Sequence, residues 1–196
     1  MPQLEVLQDI CTDKRDVDND LLERVLMLAV EIAREGREGR KIGTMFVVGD
    51  EAAVLDQSRP LVLDPLAGHA ADVKQLNDTN MWETIKEFAQ LDGAFVIAGD
   101  GTVLSAARYI NASASTQIEL PLGLGSRHMA GATISLTTDA VAVVVSESSI
   151  VRVFDDGEMV AEIIPEVWML RRLGVHIEAP YIERREGDLT VRARQA

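Results

Sequence analysis

Leu91-Asp92-Gly93-Ala94-Phe95-Val96-Ile97-Ala98-Gly99-Asp100-Gly101-Thr102-Val103-Leu104-Ser105-Ala106-Ala107-Arg108-Tyr109 decides the fold of this chain. The apolar run Ala94–Ala98 reads as a buried strand, Gly99-Asp100-Gly101 as a tight turn, and Thr102–Tyr109 as the returning strand. A second turn, Asp155-Asp156-Gly157, predicts another hairpin. Two further apolar runs, Ile42–Gly49 and Ala140–Val145, read as buried strands. Hairpins make antiparallel ladders, so the expected fold is α/β (α+β): a mixed, mostly antiparallel sheet surrounded by helices.

Helical spacing of Leu22, Val25, Leu26, Ala29, Ile32 and Ala33 predicts a helix over Asn19–Glu35, capped by Asp18, Asn19 or Asp20 and ended by Gly36. Trp82, Ile85, Phe88 and Ala89 predict a second over Asn80–Gln90 behind Asp78 or Thr79. A third is expected from Ser126 to about Leu136, and a short one from Pro165 to Leu173. After Gly49-Asp50-Glu51, the run Ala53-Val54-Leu55 reads as a short strand, and residues 57–79 as a mixed loop. Leu189-Thr190-Val191 carries a weak strand signal. The expected organisation is a lead-in and helix over 1–40 packed on a central domain over 41–173, with an appendage over 174–196.

Asp and Glu number 32 against 19 Lys and Arg, a net charge of −13. That excludes a general basic surface for direct nucleic-acid binding. An anionic ligand must be held by a local cluster working against the global field. No apolar run approaches a membrane span, and the N-terminal residues lack the pattern of a signal peptide. Cys11 is the sole cysteine, which suits a reducing interior. A soluble cytoplasmic protein is expected. No Gly-x-Gly-x-x-Gly follows a strand, and there is no phosphate-binding Gly-x-x-x-x-Gly-Lys-Ser/Thr, zinc-ligand spacing or Gly-x-Ser-x-Gly elbow.

The chemistry sits in two segments. Gly125-Ser126-Arg127-His128 places a hydroxyl, a guanidinium and an imidazole at a helix start, where backbone N–H groups and the helix dipole favour an anion. Asp92-Gly93-Ala94 offers a carboxylate for a divalent ion or a hydroxyl proton, beside backbone a ligand can approach closely. Tyr109 can stack on a flat base. Ser146-Glu147 ends the strongest strand, and Glu147 is a possible metal ligand. Each also has a plain structural reading: a capped helix with a half-buried histidine, a helix-to-strand turn, a core tyrosine, a solvated carboxylate. His69 and His176 have no partner pattern.

Together these segments resemble the diadenylate cyclase family, the catalytic domain also found at the N-terminus of the DNA-integrity scanning protein DisA. The likeness runs from about Leu21 to Leu173. It includes Glu35-Gly36-Arg37-Glu38-Gly39, Ile42–Asp50, Phe88–Ala94, Leu124–His128 and Thr138–Glu147. Stand-alone, membrane-free members of archaeal type are most similar. The resemblance implies condensation of two ATP into cyclic di-AMP with release of two pyrophosphates, assisted by Mg²⁺ or Mn²⁺, in a homo-oligomer containing a face-to-face dimer. It implies Asp92 near the ribose 3′-hydroxyl and the metal, and Gly93 and Ala94 lining the pocket. Tyr109 and Ile110 would lie near adenine. Gly125, Ser126, Arg127 and His128 would lie at the phosphates, and Ser146 and Glu147 near nucleotide or metal. The family commonly has Arg-His-Arg where this chain has Arg127-His128-Met129, so a catalytically silent module binding ATP or cyclic di-AMP is the alternative.

Overall fold

The computed structural model describes residues 17–61, 63–111 and 120–165, with Ile10, Ile118 and the backbone of strands at 181–186 and 189–194. Helix α1 (Asn19–Glu35) begins where the Asp18 carboxylate accepts the Leu21 N–H at 2.9 Å, and Gly36 ends it. Leu22, Val25, Leu26, Ala29, Ile32 and Ala33 are all buried on it, as the spacing predicts, together with Leu21 and Leu28.

Strand β1 (Thr44–Val48) is the centre of a seven-stranded sheet. It runs parallel to β3 (Ala94–Ile97), with Phe46 opposite Phe95, and antiparallel to β5 (Val141–Val145), with Thr44 opposite Val145. The predicted hairpin is real: β4 (Val103–Ile110) returns against β3. The short strand β2 (Ser58–Pro60) adds to β4, while β6 (Val151–Asp155) and β7 (Glu158–Ile163) extend the other side. The order is β2-β4-β3-β1-β5-β6-β7, and β1–β3 is its one parallel pair among the described residues. The mixed, mostly antiparallel sheet is therefore as expected.

Both faces are covered, which explains why every residue of β1 and β5 is buried and, Thr44 apart, apolar. Phe46, Val48, Phe95, Ile97, Val143 and Val145 pack under α1 and under Met81, Ile85 and Ala89 from helix α3 (Thr79–Phe88) and its end. On the other face, Met45, Val47, Val96, Ala142, Val144 and Phe154 meet Ala132 and Ile134 of helix α4 (Ser126–Thr137). The Phe46 and Phe95 rings stack with centroids 5.1 Å apart.

One element corrects the sequence reading. Ala53-Val54-Leu55 is not a strand but part of helix α2 (Glu51–Asp56), on which only Val54 is buried. A three-residue apolar run cannot separate helix from strand, and one buried position fits a helix lying on the sheet. The region 57–79 holds more order than a loop: β2, a 3-10 turn at Ala71–Val73, and a Leu76 carbonyl that accepts the Trp82 indole N–H at 2.6 Å. Leu189-Thr190-Val191 lies within β9 (Leu189–Arg194), which pairs with β8 (Tyr181–Glu186) in a separate two-stranded sheet. The helix expected from Pro165 to Leu173 falls outside the described residues beyond Pro165.

Candidate functional site

The parallel β1–β3 pair sets where a site can form. Two parallel neighbours begin at the same end of a sheet, and their antiparallel partners finish there. Ala94 at the start of β3 lies opposite Arg108 near the end of β4, and Thr44 at the start of β1 lies opposite Val145 at the end of β5. Gly43, Asp92, Arg108–Ile110 and Glu147 therefore gather at one end, although they span over a hundred positions of sequence.

A cleft of about 170 Å³ opens there. Asp92, Gly93, Tyr109, Ile110, Ser126 and Arg127, all named from sequence, line it, and Met45, Arg108 and Ala130 complete it. Asp92 lies in the turn after α3, its Oδ1 accepting the Gly93 N–H at 3.0 Å. Gly93 has φ +103, and an added Cβ would stand 2.9 Å from the Arg108 backbone nitrogen. Only glycine fits that turn, and the turn leaves the Asp92 side chain 89% exposed at the cleft.

Arg127 joins the two segments. One terminal nitrogen, Nη2, lies 3.7 Å from Asp92 Oδ1, and the other, Nη1, lies 3.7 Å from Glu147 Oε1. Both separations exceed a hydrogen bond, so the guanidinium is held by charge and packing. Its Nε is buried and, among the described residues, has no hydrogen-bond partner. Such a group is ready to exchange loose carboxylate contacts for close bonds to a stronger anion. Gly125 caps α4 without a side-chain acceptor, so no cap side chain competes for the N–H groups of the first turn, of which that of His128 is taken by the Gly125 carbonyl at 3.1 Å.

His128 is elsewhere. It is buried, edge-on to Phe154 at 6.2 Å, and its Nε2 lies 3.2 Å from Arg152 Nη1. Burial, then the charges of Arg152 and Arg127, hold its pKa below the ordinary value. Arg152 can only donate, so Nε2 of the neutral ring accepts and Nδ1 carries the proton. That Nδ1 is buried and, among the described residues, without a partner. Arg152 itself is fixed by Glu162, 2.7 Å from its Nε. Ala94 is fully buried in β3. Ser146 accepts the Ile150 N–H and donates to the Ile150 carbonyl, closing the β5–β6 turn. Met129 is half-buried and lies outside the cleft lining.

Besides Met45 and Ala130 in the cleft lining, sequence reasoning missed four participants. Arg108 lines the cleft while its Nε donates to Ser58 Oγ and its Nη2 to the Leu55 and Ser58 carbonyls, tying β4 to β2 and α2. Arg59 lies over the Tyr109 ring, 4.7 Å from its centroid. Arg152 orients His128, and Gly43 backs Arg127. The Arg59–Tyr109 contact was findable only by pairing β2 with β4, where the two are opposite. Ala130 had a signal, since it follows Ser126 by one helical turn.

Among the described residues no three His, Cys, Asp or Glu side chains gather to hold a metal ion. Asp92 and Glu147 are hard oxygen donors that suit Mg²⁺ or Mn²⁺ only when a ligand adds further oxygens. No described helix is long and apolar enough to cross a membrane.

Residues 31–159 match the family described as DisA bacterial checkpoint controller nucleotide-binding, DAC. The chain is 47% identical over 150 residues to a diadenylate cyclase of Methanocaldococcus jannaschii, covering 76% of this chain and 47% of that protein. It is 39% identical over 163 residues to a diadenylate cyclase of Haloferax volcanii, covering 83% of this chain and 59% of that one. The chain thus spans about half the length of the curated relatives it matches. A crystal structure of a hypothetical membrane spanning protein from Bacillus cereus shares the fold, with a TM-score of 0.50 and 19% identity over 70% of this chain and 61% of that one. Because the matched segment carries the central sheet, α4 and the whole cleft, the chain belongs to the DAC family of diadenylate cyclase domains.

Proposed function

We propose that this chain condenses two ATP molecules into cyclic di-AMP with release of two pyrophosphates. The observation that carries the reading is the meeting of Asp92, Arg127 and Glu147 beside a cleft lined by Tyr109 and Ile110. In each half-reaction the 3′-hydroxyl oxygen of one ATP attacks the α-phosphorus of the other. A phosphodiester bond forms, the bond to the β-phosphate oxygen breaks, and pyrophosphate leaves with that electron pair. Such a displacement needs alignment and charge neutralisation more than covalent catalysis.

The residues divide those tasks. Asp92, exposed at the cleft, orients the 3′-hydroxyl and takes its proton. Arg127 leaves its 3.7 Å carboxylate contacts for phosphate oxygens, aided by Ser126 and the first turn of α4. Tyr109 offers a ring face to adenine, with Arg59 across the ring. When bound, Mg²⁺ or Mn²⁺ would be held by Asp92, with Glu147 beside it, and would supply further neutralisation of phosphate charge. One cleft holds one ATP, so two reciprocal attacks require two domains face to face about a two-fold axis. ATP as substrate and the lone Cys11 favour a cytoplasmic location.

The test is the full chain with ATP and Mg²⁺ or Mn²⁺, followed by separation of nucleotides. Cyclic di-AMP and pyrophosphate in a one-to-two ratio are expected. Asp92→Asn should abolish turnover and leave ATP binding largely intact. ATP binding by the wild-type chain without pyrophosphate release would select the silent module that Met129 favours.

A further inference from the structure

We infer that Gly43 is a positioning residue: its missing side chain forms the seat that holds the Arg127 guanidinium between Asp92 and Glu147. The inference rests on the proposed role of Arg127 at the nucleotide. A Cβ at position 43 would stand 2.6 Å from Arg127 Nη1, 3.3 Å from Arg127 Cζ and 3.2 Å from Glu147 Cγ. These distances are inside the roughly 3.5–4.0 Å of ordinary contact. No other side chain, not even a methyl group, fits with the guanidinium where it is.

The backbone does not ask for glycine at this position. Gly43 is absent from the residues with positive φ, unlike Gly93, so alanine is conformationally free there. What the site requires is room. The atoms in the way belong to side chains, the Arg127 guanidinium nearest and the Glu147 Cγ beside it, whereas at Gly93 the nearest is the Arg108 backbone. Alanine at 43 therefore displaces Arg127 without breaking the sheet. The seat matters because, among the described residues, nothing else grips the guanidinium closely: its Nε has no hydrogen-bond partner there and its two carboxylates stand 3.7 Å away. Gly43 directly precedes β1, which fixes it rigidly against the end of β5. A rigid wall behind a loosely paired cation presets where that cation points.

Gly43→Ala in the full chain tests this, alone and combined with Arg127→Ala. The single variant should melt with the wild type, bind ATP more weakly and turn over about 10- to 100-fold more slowly. On the Arg127→Ala background it should add nothing to the loss. Unchanged ATP affinity and kcat in the single variant would overturn the seat, as would an additive loss in the double. If Gly43→Ala alone fails to fold, removing Arg127 should restore folding, and failure to do so also overturns it. Hydrogen exchange at the Arg127 Nε–H, followed by NMR without nucleotide, should be faster in Gly43→Ala. A wild-type chain that makes no product would sink the cyclase reading and leave this exchange difference standing.

Discussion

Helices α1 and α4 flank opposite faces of one sheet and are built on opposite terms. Helix α1 has a side-chain cap from Asp18 and a glycine stop, and it buries Leu22, Val25, Leu26, Leu28 and Ile32. Helix α4 has a cap residue with no side chain, and what it buries is mainly small or polar: Gly131, Ala132, Thr133 and Ser135, with His128 and Ile134. Gly131 brings it so near the sheet that an added Cβ would stand 3.0 Å from Val144 Cγ2. The first helix spends its surface on burial. The second gives its first turn to Ser126 and Arg127 and gains its place by close approach. On the proposed function, stability and chemistry are thus assigned to different helices, and the comparison can be broken at either one.

The largest effect belongs to α1. Leu26→Ala deletes a fully buried side chain and should cost about 2–5 kcal/mol of stability. Urea unfolding measures the loss, and kcat per folded molecule should be unchanged. Arg127→Ala on α4 should do the reverse. Losing one charge-assisted contact worth about 1.5–3 kcal/mol lowers kcat/KM roughly 10- to 150-fold, with the unfolding midpoint nearly unmoved. A variant of α1 that slowed turnover without unfolding, or an Arg127 variant that unfolded, would erase the division.

The same contrast decides what the sequence could tell. Helix α1 was legible to the residue because period, cap and stop all agreed. The β3–β4 hairpin and the start of α4 were legible for similar reasons, each carrying a turn or small-residue signal at its boundary. Helix α2 was misread because Ala53-Val54-Leu55 is too short to show a period. Strand β2 was invisible, since Ser58-Arg59-Pro60 has no apolar alternation and owes its pairing to the free edge of β4. Asp92, Ser126 and Arg127, which line the cleft, were named for their chemistry, but Gly43, Arg108 and Arg152 make contacts that exist only after the sheet is ordered. Glu147 reaches Arg127 because β5 is antiparallel to β1, a fact no local window contains.

Acid should separate the two helices next. Burial first, then Arg152 and Arg127, depress the pKa of His128, against the upward pull of Glu162. The unfolded chain takes up this proton near pH 6.5, where the folded chain does not. The contribution of His128 is therefore complete above about pH 6.5 and is lost as the pH falls from there through the folded value. Melting temperatures from about pH 7.5 to about pH 5 should fall more steeply for wild type than for His128→Gln. Helix α1 contains no histidine, so Leu26→Ala should lower the whole curve and keep its slope. Parallel curves for wild type and His128→Gln would show that the ring is not held neutral.

The smallest effect is the most diagnostic. Gly125 has extended backbone, φ −89 and ψ −171, and among the described residues an added Cβ there would meet nothing within 4 Å. Serine fits without strain and supplies the cap that α4 lacks. Replacing a glycine cap in this way should gain only a few tenths of a kcal/mol. Yet the new hydroxyl would accept the same first-turn N–H groups that the proposed function assigns to phosphate. Gly125→Ser should therefore melt slightly higher and bind ATP more weakly, opposite signs from one atom. Asp18→Ala on α1 supplies the control, losing about 1 kcal/mol of stability and no ATP affinity. If Gly125→Ser binds ATP as tightly as wild type, phosphate does not use the start of α4, and the bare cap has no functional reason.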